Sequence, residues 1–139
     1  APLVAALRKI HQYIIMSAPT AAQYAALAAL TDPAAAAAVQ DMIRAYDERR
    51  RLVVDGFNAI GLATFEPRGA FYAFPDIRSS GLDGDTFCER LLYESKVALV
   101  PGHAFGEAGR GFARCSYAAS LPRLTEALER IEAFLATLR

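Results

Sequence analysis

Arg114 stands in the middle of Phe112-Ala113-Arg114-Cys115-Ser116-Tyr117. Strand alternation through this run puts Phe112, Arg114 and Ser116 on one face and Ala113, Cys115 and Tyr117 on the other. A guanidinium among apolar neighbours needs a partner, because burying an unpaired charge is costly. Three arrangements would satisfy it. The planar fork could hold a carboxylate ligand by two parallel hydrogen bonds. It could instead pair with a structural carboxylate such as Glu66 or Glu107, or lie on a solvated sheet face.

Other chemistry-bearing residues give less. Pro101 to Gly111 reads Pro-Gly-His-Ala-Phe-Gly-Glu-Ala-Gly-Arg-Gly, which matches neither the dinucleotide fingerprint nor a phosphate loop ending in Gly-Lys-Ser/Thr. It is expected to be a flexible connection. His11 and His103 have no metal-ligand spacing with cysteines or paired carboxylates, so no metal site is expected. Cys88 and Cys115 are too few for a disulfide framework; they read as buried thiols of a reducing compartment, the cytoplasm, with a single bridge between them as the alternative. No Gly-x-Ser-x-Gly elbow occurs. Arg49-Arg50-Arg51, flanked by Asp47, Glu48 and Asp55, reads as a solvated face. Gly69 to Phe74 is aromatic enough to line a ligand or to fill a core strand. Only two of the 15 basic residues are lysines, Lys9 and Lys96.

The elements that must position these residues follow from periodicity. Leu3, Leu7, Ile10 and Ile14 define an amphipathic helix. Pro19 fits the first turn of a second, alanine-rich helix reaching about Leu30. Asp32 caps a third helix with Pro33 at its first position. That helix carries an apolar stripe from Val39 through Met42, Ile43, Tyr46, Val53 and Phe57 to Ile60 and stops at Gly61. Strands are expected at 62–65, 70–74, 97–100 and 112–117. A helix capped by Asp83 or Asp85 lies between the second and third strands. A terminal helix opens at Ser120 and Pro122. This order gives an α+β fold with a small antiparallel or mixed sheet covered by helices.

The composition fits that reading. The 139 residues carry 15 basic and 15 acidic side chains, and 29 are alanine. A balanced charge argues against a nucleic-acid partner, and no apolar stretch is long enough to span a membrane. The opening Ala1-Pro2-Leu3 shows no secretory leader and no initiator Met, which a chain starting inside a longer protein would also lack.

Three segments together resemble a known family. They are Pro67-Arg68-Gly69-Ala70-Phe71-Tyr72-Ala73-Phe74-Pro75, then Val97 to Gly106 (Val-Ala-Leu-Val-Pro-Gly-His-Ala-Phe-Gly), then Arg114-Cys115-Ser116-Tyr117-Ala118. Their order and spacing resemble the C-terminal part of class I/II aminotransferases, the pyridoxal-phosphate enzymes of fold type I. Ser17 to Gln23 with its alanine-rich helix, and the long helix after Asp32-Pro33, resemble the family too. The resemblance implies that Arg114 grips the α-carboxylate shared by amino acid and 2-oxo acid substrates, with Phe71 on the substrate side. It implies a small domain that closes over substrate, with the 101–111 loop taking part. It also implies pyridoxal 5'-phosphate in the full-length parent, with the catalytic lysine and most cofactor ligands upstream of a region like this one. Neither Lys9 nor Lys96 matches the lysine motif, so no catalytic residue is expected in this chain.

The reading that results is a fragment, inactive alone, of a homodimeric aminotransferase. Residues 1–31 would be a helical segment linking to a missing N-terminal large domain, and residues 32–139 the C-terminal small α+β domain. Two alternatives remain at this level: a stand-alone, non-catalytic amino-acid-binding or interaction module, and part of a fold type I lyase.

Overall fold

The computed structural model describes residues 2–138. The chain divides into two compact units, Ala1–Met42 and Ile43–Arg139. The sequence boundary at residue 32 coincides with the break between α2 and α3, whereas the compact units part further on, inside α3.

The first unit holds α1 (Pro2–Ile14), α2 (Thr20–Thr31) and the start of α3 (Pro33–Ala59). Pro19 is the N-cap of α2 rather than a first-turn residue. Asp32 caps α3 as expected, its carboxylate accepting from the Ala34 amide at 2.8 Å. Neither α1 nor α2 buries a residue, and Leu3, Leu7, Ile10 and Ile14 are all exposed. No helix among the described residues is long and apolar enough to cross a membrane.

The second unit has the core. Val53, Phe57, Leu62, Phe87, Leu91, Ile131 and Phe134 are almost completely buried, each such side chain contributing about 1.5–3 kcal/mol by leaving water. Helix α4 (Gly84–Ser95) and helix α5 (Leu121–Ala136) meet through an edge-on pair, Phe87 and Phe134, with ring centres 5.6 Å apart. Asp83 is the cap of α4, accepting from the Asp85 and Thr86 amides at 3.0 Å. The stripe on α3 is buried only in part. Val53 and Phe57 are in the core, while Val39, Met42 and Ile43 are exposed.

Three short strands form one antiparallel sheet in the order β1 (Tyr72–Ala73), β3 (Ala113–Ser116), β2 (Val100–Pro101). This is an α+β fold with a small antiparallel sheet. The strand expected at 62–65 does not form. Asn58 meets its backbone needs instead: the side-chain amide donates to the Thr64 carbonyl at 3.0 Å and its oxygen accepts from the Thr64 amide at 2.8 Å. The strand expected at 97–100 shrinks to its last residue plus Pro101. Lys96 caps α4 in the left-handed region (φ 58°), and the Val97 amide still donates back to Leu91.

Candidate functional site

β3 is the central strand, and the register sets what surrounds Arg114. Val100 pairs with Arg114, and Tyr72 pairs with Ser116. Opposed residues of an antiparallel pair share a face, so Tyr72 lies on the same face as Arg114 and Ser116. The alternation read from sequence holds: Ala113, Cys115 and Tyr117 are buried, Arg114 is half-buried and Ser116 exposed.

The Arg114 guanidinium lies over two aromatic rings. Its central carbon is 4.4 Å from the centre of the Tyr72 ring and 3.9 Å from that of Phe105. Phe74 abuts Phe105 edge-on at 6.0 Å. No protein carboxylate pairs with Arg114 among the described residues. Glu66 is bound by Arg50, and Glu107 by Arg110. The structural pairing with Glu66 or Glu107 is therefore not formed. The charge is stabilised by ring quadrupoles, and its N–H donors are left unused by the described residues.

Phe71 is placed differently from Tyr72. Its ring stacks on Tyr46 of α3 at 5.7 Å and abuts Tyr72 at 4.6 Å, so it reaches Arg114 only through Tyr72. The chain enters β1 through Ala70, which is in the left-handed region (φ 59°). Tyr117 fixes that turn: its hydroxyl donates to the Ala70 carbonyl at 3.1 Å and its amide to the Phe71 carbonyl at 2.9 Å.

The glycine-rich connection, expected as a flexible loop, has local structure. It folds into two 3-10 turns, Gly102–Phe105 and Glu107–Gly109. The Gly102 amide donates to Phe112 at 2.8 Å and the Phe112 amide to Gly109 at 3.1 Å. Gly102 and Gly109 cross so closely that a Cβ on Gly102 would lie 2.3 Å from the Gly109 carbonyl oxygen. Glycine serves here for close backbone approach rather than for mobility.

The basic run on α3 is also more than a solvated face. Arg50, mostly buried, bonds Asp47 at 2.6 Å and Glu66. Arg51 bonds Asp47 at 2.8 Å, and Arg49 lies over the Tyr46 ring. The Arg50 hydrogen bond holds the Asp47 carboxyl below the usual carboxylate range. A cleft of about 520 Å³ opens beside this network, but its Arg50, Asp47 and Glu66 satisfy one another.

Cys88 and Cys115 are free and buried. Burial pushes their thiols up, to about 11 and about 12. No group of three or more histidine, cysteine or acidic side chains suited to a metal occurs among the described residues.

A family model described as aminotransferase class I and II matches residues 1–131. The chain belongs to that family. The likeness read from the three sequence segments is thereby borne out. The chain is 49% identical over 130 residues to a putative aminotransferase, YugH, of Bacillus subtilis (strain 168), covering 94% of this chain and 33% of the relative. It is 46% identical over 127 residues to an aspartate aminotransferase of Pyrococcus abyssi, covering 91% of this chain and 33% of the relative. Among solved structures, an aromatic aminotransferase from Pyrococcus horikoshii OT3 matches with a TM-score of 0.81 at 49% identity, over 84% of this chain and 32% of that one. An aspartate aminotransferase from Thermotoga maritima matches with a TM-score of 0.80 at 46% identity, over 92% and 32%. This aminotransferase chain thus spans about a third of the length of the relatives it matches.

Membership of the class I and II aminotransferases implies pyridoxal phosphate in the full-length enzyme. The described residues do not fit as its anchor. Lys96 lies at the C-terminus of α4 with its ammonium donating to the Tyr93 carbonyl at 2.8 Å, and Lys9 is exposed on α1. Lys96 borders only an open surface cleft with Glu94, Ser95, Arg130 and Ala133, and the Arg114 side chain touches aromatic rings.

Sequence reasoning found Arg114 but missed Tyr72 and Phe105 as its neighbours. The signal for Tyr72 was an aromatic on β1, whose register no local pattern fixes. The signal for Phe105 was a lone aromatic inside a run of glycines.

Proposed function

We propose that this chain is the C-terminal, substrate-carboxylate-binding portion of a pyridoxal-phosphate-dependent aminotransferase that moves an amino group between an amino acid and a 2-oxo acid. The observation that carries this reading is the half-buried Arg114 on the central strand, set over two rings with its hydrogen-bond donors free of any carboxylate among the described residues. An amino acid and its 2-oxo acid share the carboxylate and differ at the adjacent carbon. One fixed bidentate grip therefore serves both half-reactions and orients the reacting carbon. Lysine would bring a point charge without the fork. Phe71, abutting Tyr72, belongs in this reading to the wall around the carboxylate.

Residues 1–31 would link to an N-terminal large domain supplying the catalytic lysine and most ligands of the cofactor, and residues 32–139 would form the small domain. The exposed stripe of α1 supports packing against such a domain. The parent would be a cytoplasmic homodimer, and the chain alone inactive.

The test is Arg114→Ala in the full-length protein, assayed by steady-state transamination. KM should rise, and kcat/KM should fall by about 2–5 kcal/mol in transition-state terms, as for loss of a buried hydrogen-bonded charge. Unchanged kinetics would remove Arg114 from the site.

A further inference from the structure

Resting on the reading of Arg114 as the carboxylate grip, we propose that Tyr72 and Phe105 are positioning residues. They clamp the guanidinium edge-on to the substrate, and the glycine-rich turn between β2 and β3 exists to set Phe105 in place.

A cation needs a partner, but a protein carboxylate at Arg114 would compete with the substrate's own for the same donors. Rings avoid that conflict. They attract the charge from ring centres 4.4 and 3.9 Å from its central carbon, and accept none of its N–H groups as a carboxylate would. Two ring contacts also restrict the guanidinium more than a single ring would. The fork that remains matches a carboxylate arriving in the same plane.

The two rings have different supports. Tyr72 is held by strand pairing with Ser116. Phe105 is half exposed and has no strand to hold it. Its support is the 3-10 turn Gly102–Phe105, pinned at one end by the Gly102–Phe112 hydrogen bond and by the Gly102–Gly109 crossing. The Gly106 amide closes the other end on the His103 carbonyl at 3.0 Å. Phe74 backs the Phe105 ring edge-on.

In the full-length protein, Phe105→Leu is compared with Phe105→Tyr on one amino acid substrate. The Leu variant keeps apolar bulk and loses the ring. Its KM should rise roughly 3- to 30-fold, the range of a cation–π contact from exposed to desolvated. Its kcat should stay within about 2-fold, because the carboxylate is gripped alike in ground and transition states. Phe105→Tyr should restore KM. A fall in kcat at unchanged KM, or a Tyr variant no better than Leu, overturns the clamp.

Arg114→Ala separates the two readings. If that variant leaves KM unchanged, the carboxylate assignment itself fails. If it is damaged while Phe105→Leu is normal, the clamp alone fails. A second measurement on the 139-residue chain does not depend on activity. The Arg114 Nε–H resonance should lie upfield of free arginine in the wild type and in Phe105→Tyr, and move back in Phe105→Leu. An unshifted resonance in the wild type overturns the clamp even if the Leu variant does not fold.

Discussion

Replacing Gly102 with alanine tests whether the turn that carries Phe105 is as tightly built as its geometry demands. Gly102 is fully buried, and an added Cβ would lie 2.3 Å from the Gly109 carbonyl oxygen and 2.7 Å from that of Phe112. Both obstacles are backbone, so no side chain can swing aside. The methyl must separate the two passes of the chain, and overpacking of this kind costs about 1–3 kcal/mol. Separation also stretches the Gly102–Phe112 and Phe112–Gly109 hydrogen bonds, at 2.8 and 3.1 Å, each contributing about 1 kcal/mol. Alanine recovers up to about 1 kcal/mol by restricting the unfolded chain, leaving a net loss of about 2–4 kcal/mol. Gly69→Ala is the control, since nothing lies within 4 Å of its Cβ position, and its effect should stay within about 0.5 kcal/mol. The assay is guanidinium unfolding followed by near-ultraviolet circular dichroism, with the midpoint falling at unchanged slope. Equal midpoints for the two variants would refute the reasoning, and with it the claim that the turn holds Phe105 rigidly.

The remaining predictions concern the core beneath the site. With their thiols raised to about 11 and about 12, Cys88 and Cys115 should react with an aromatic disulfide reagent at pH 8 only after unfolding. A native thiol titrating at the rate of free cysteine would contradict that burial. Because both folded values are raised, their contribution to stability is intact below the unfolded thiol value near ~8.5 and is lost as pH climbs towards the folded ones. Tyr117→Phe keeps the buried ring and removes the bond from its hydroxyl to Ala70. It should cost about 0.5–1.5 kcal/mol in the same unfolding assay, and a loss above about 3 kcal/mol would show that the hydroxyl does more than close that turn.

Helices were the most legible part of the fold, because their signals are local. Asp32-Pro33 and Asp83 start helices α3 and α4, and the apolar spacing of α5 reports the face that buries Leu124, Ile131, Phe134 and Leu135. Strands were less legible, since a β-prone run says nothing of what satisfies its backbone. At 62–65 the competitor was the Asn58 amide, and at 97–100 a left-handed Lys96 followed by Pro101, which has no N–H to give the ladder. Burial was legible only where the chain itself supplies the cover. The periodicity of Leu3, Leu7, Ile10 and Ile14 reports a helix with a face to hide, and all four are exposed here.

The same distinction explains why Arg114 could be singled out and its clamp could not. A period of two along one strand is enough to put a guanidinium on a named face, and the hydrophobic neighbours make it conspicuous. What surrounds that face depends on register against β1 and on a crossing between Gly102 and Gly109, both set by contacts distant in sequence. One of the three arrangements open at the sequence level sought charge complementarity, Glu66 or Glu107, for a charge that the fold sets beside rings. Each of those glutamates lies within reach of another arginine, Arg50 or Arg110, and is taken by it. Glu107 is taken within its own turn and Glu66 by an arginine of α3, whereas the rings beside Arg114 come from β1 and from the turn after β2. An arginine without an acid among the described residues, on a strand beside aromatics, keeps hydrogen-bond donors that the proposed carboxylate grip would use.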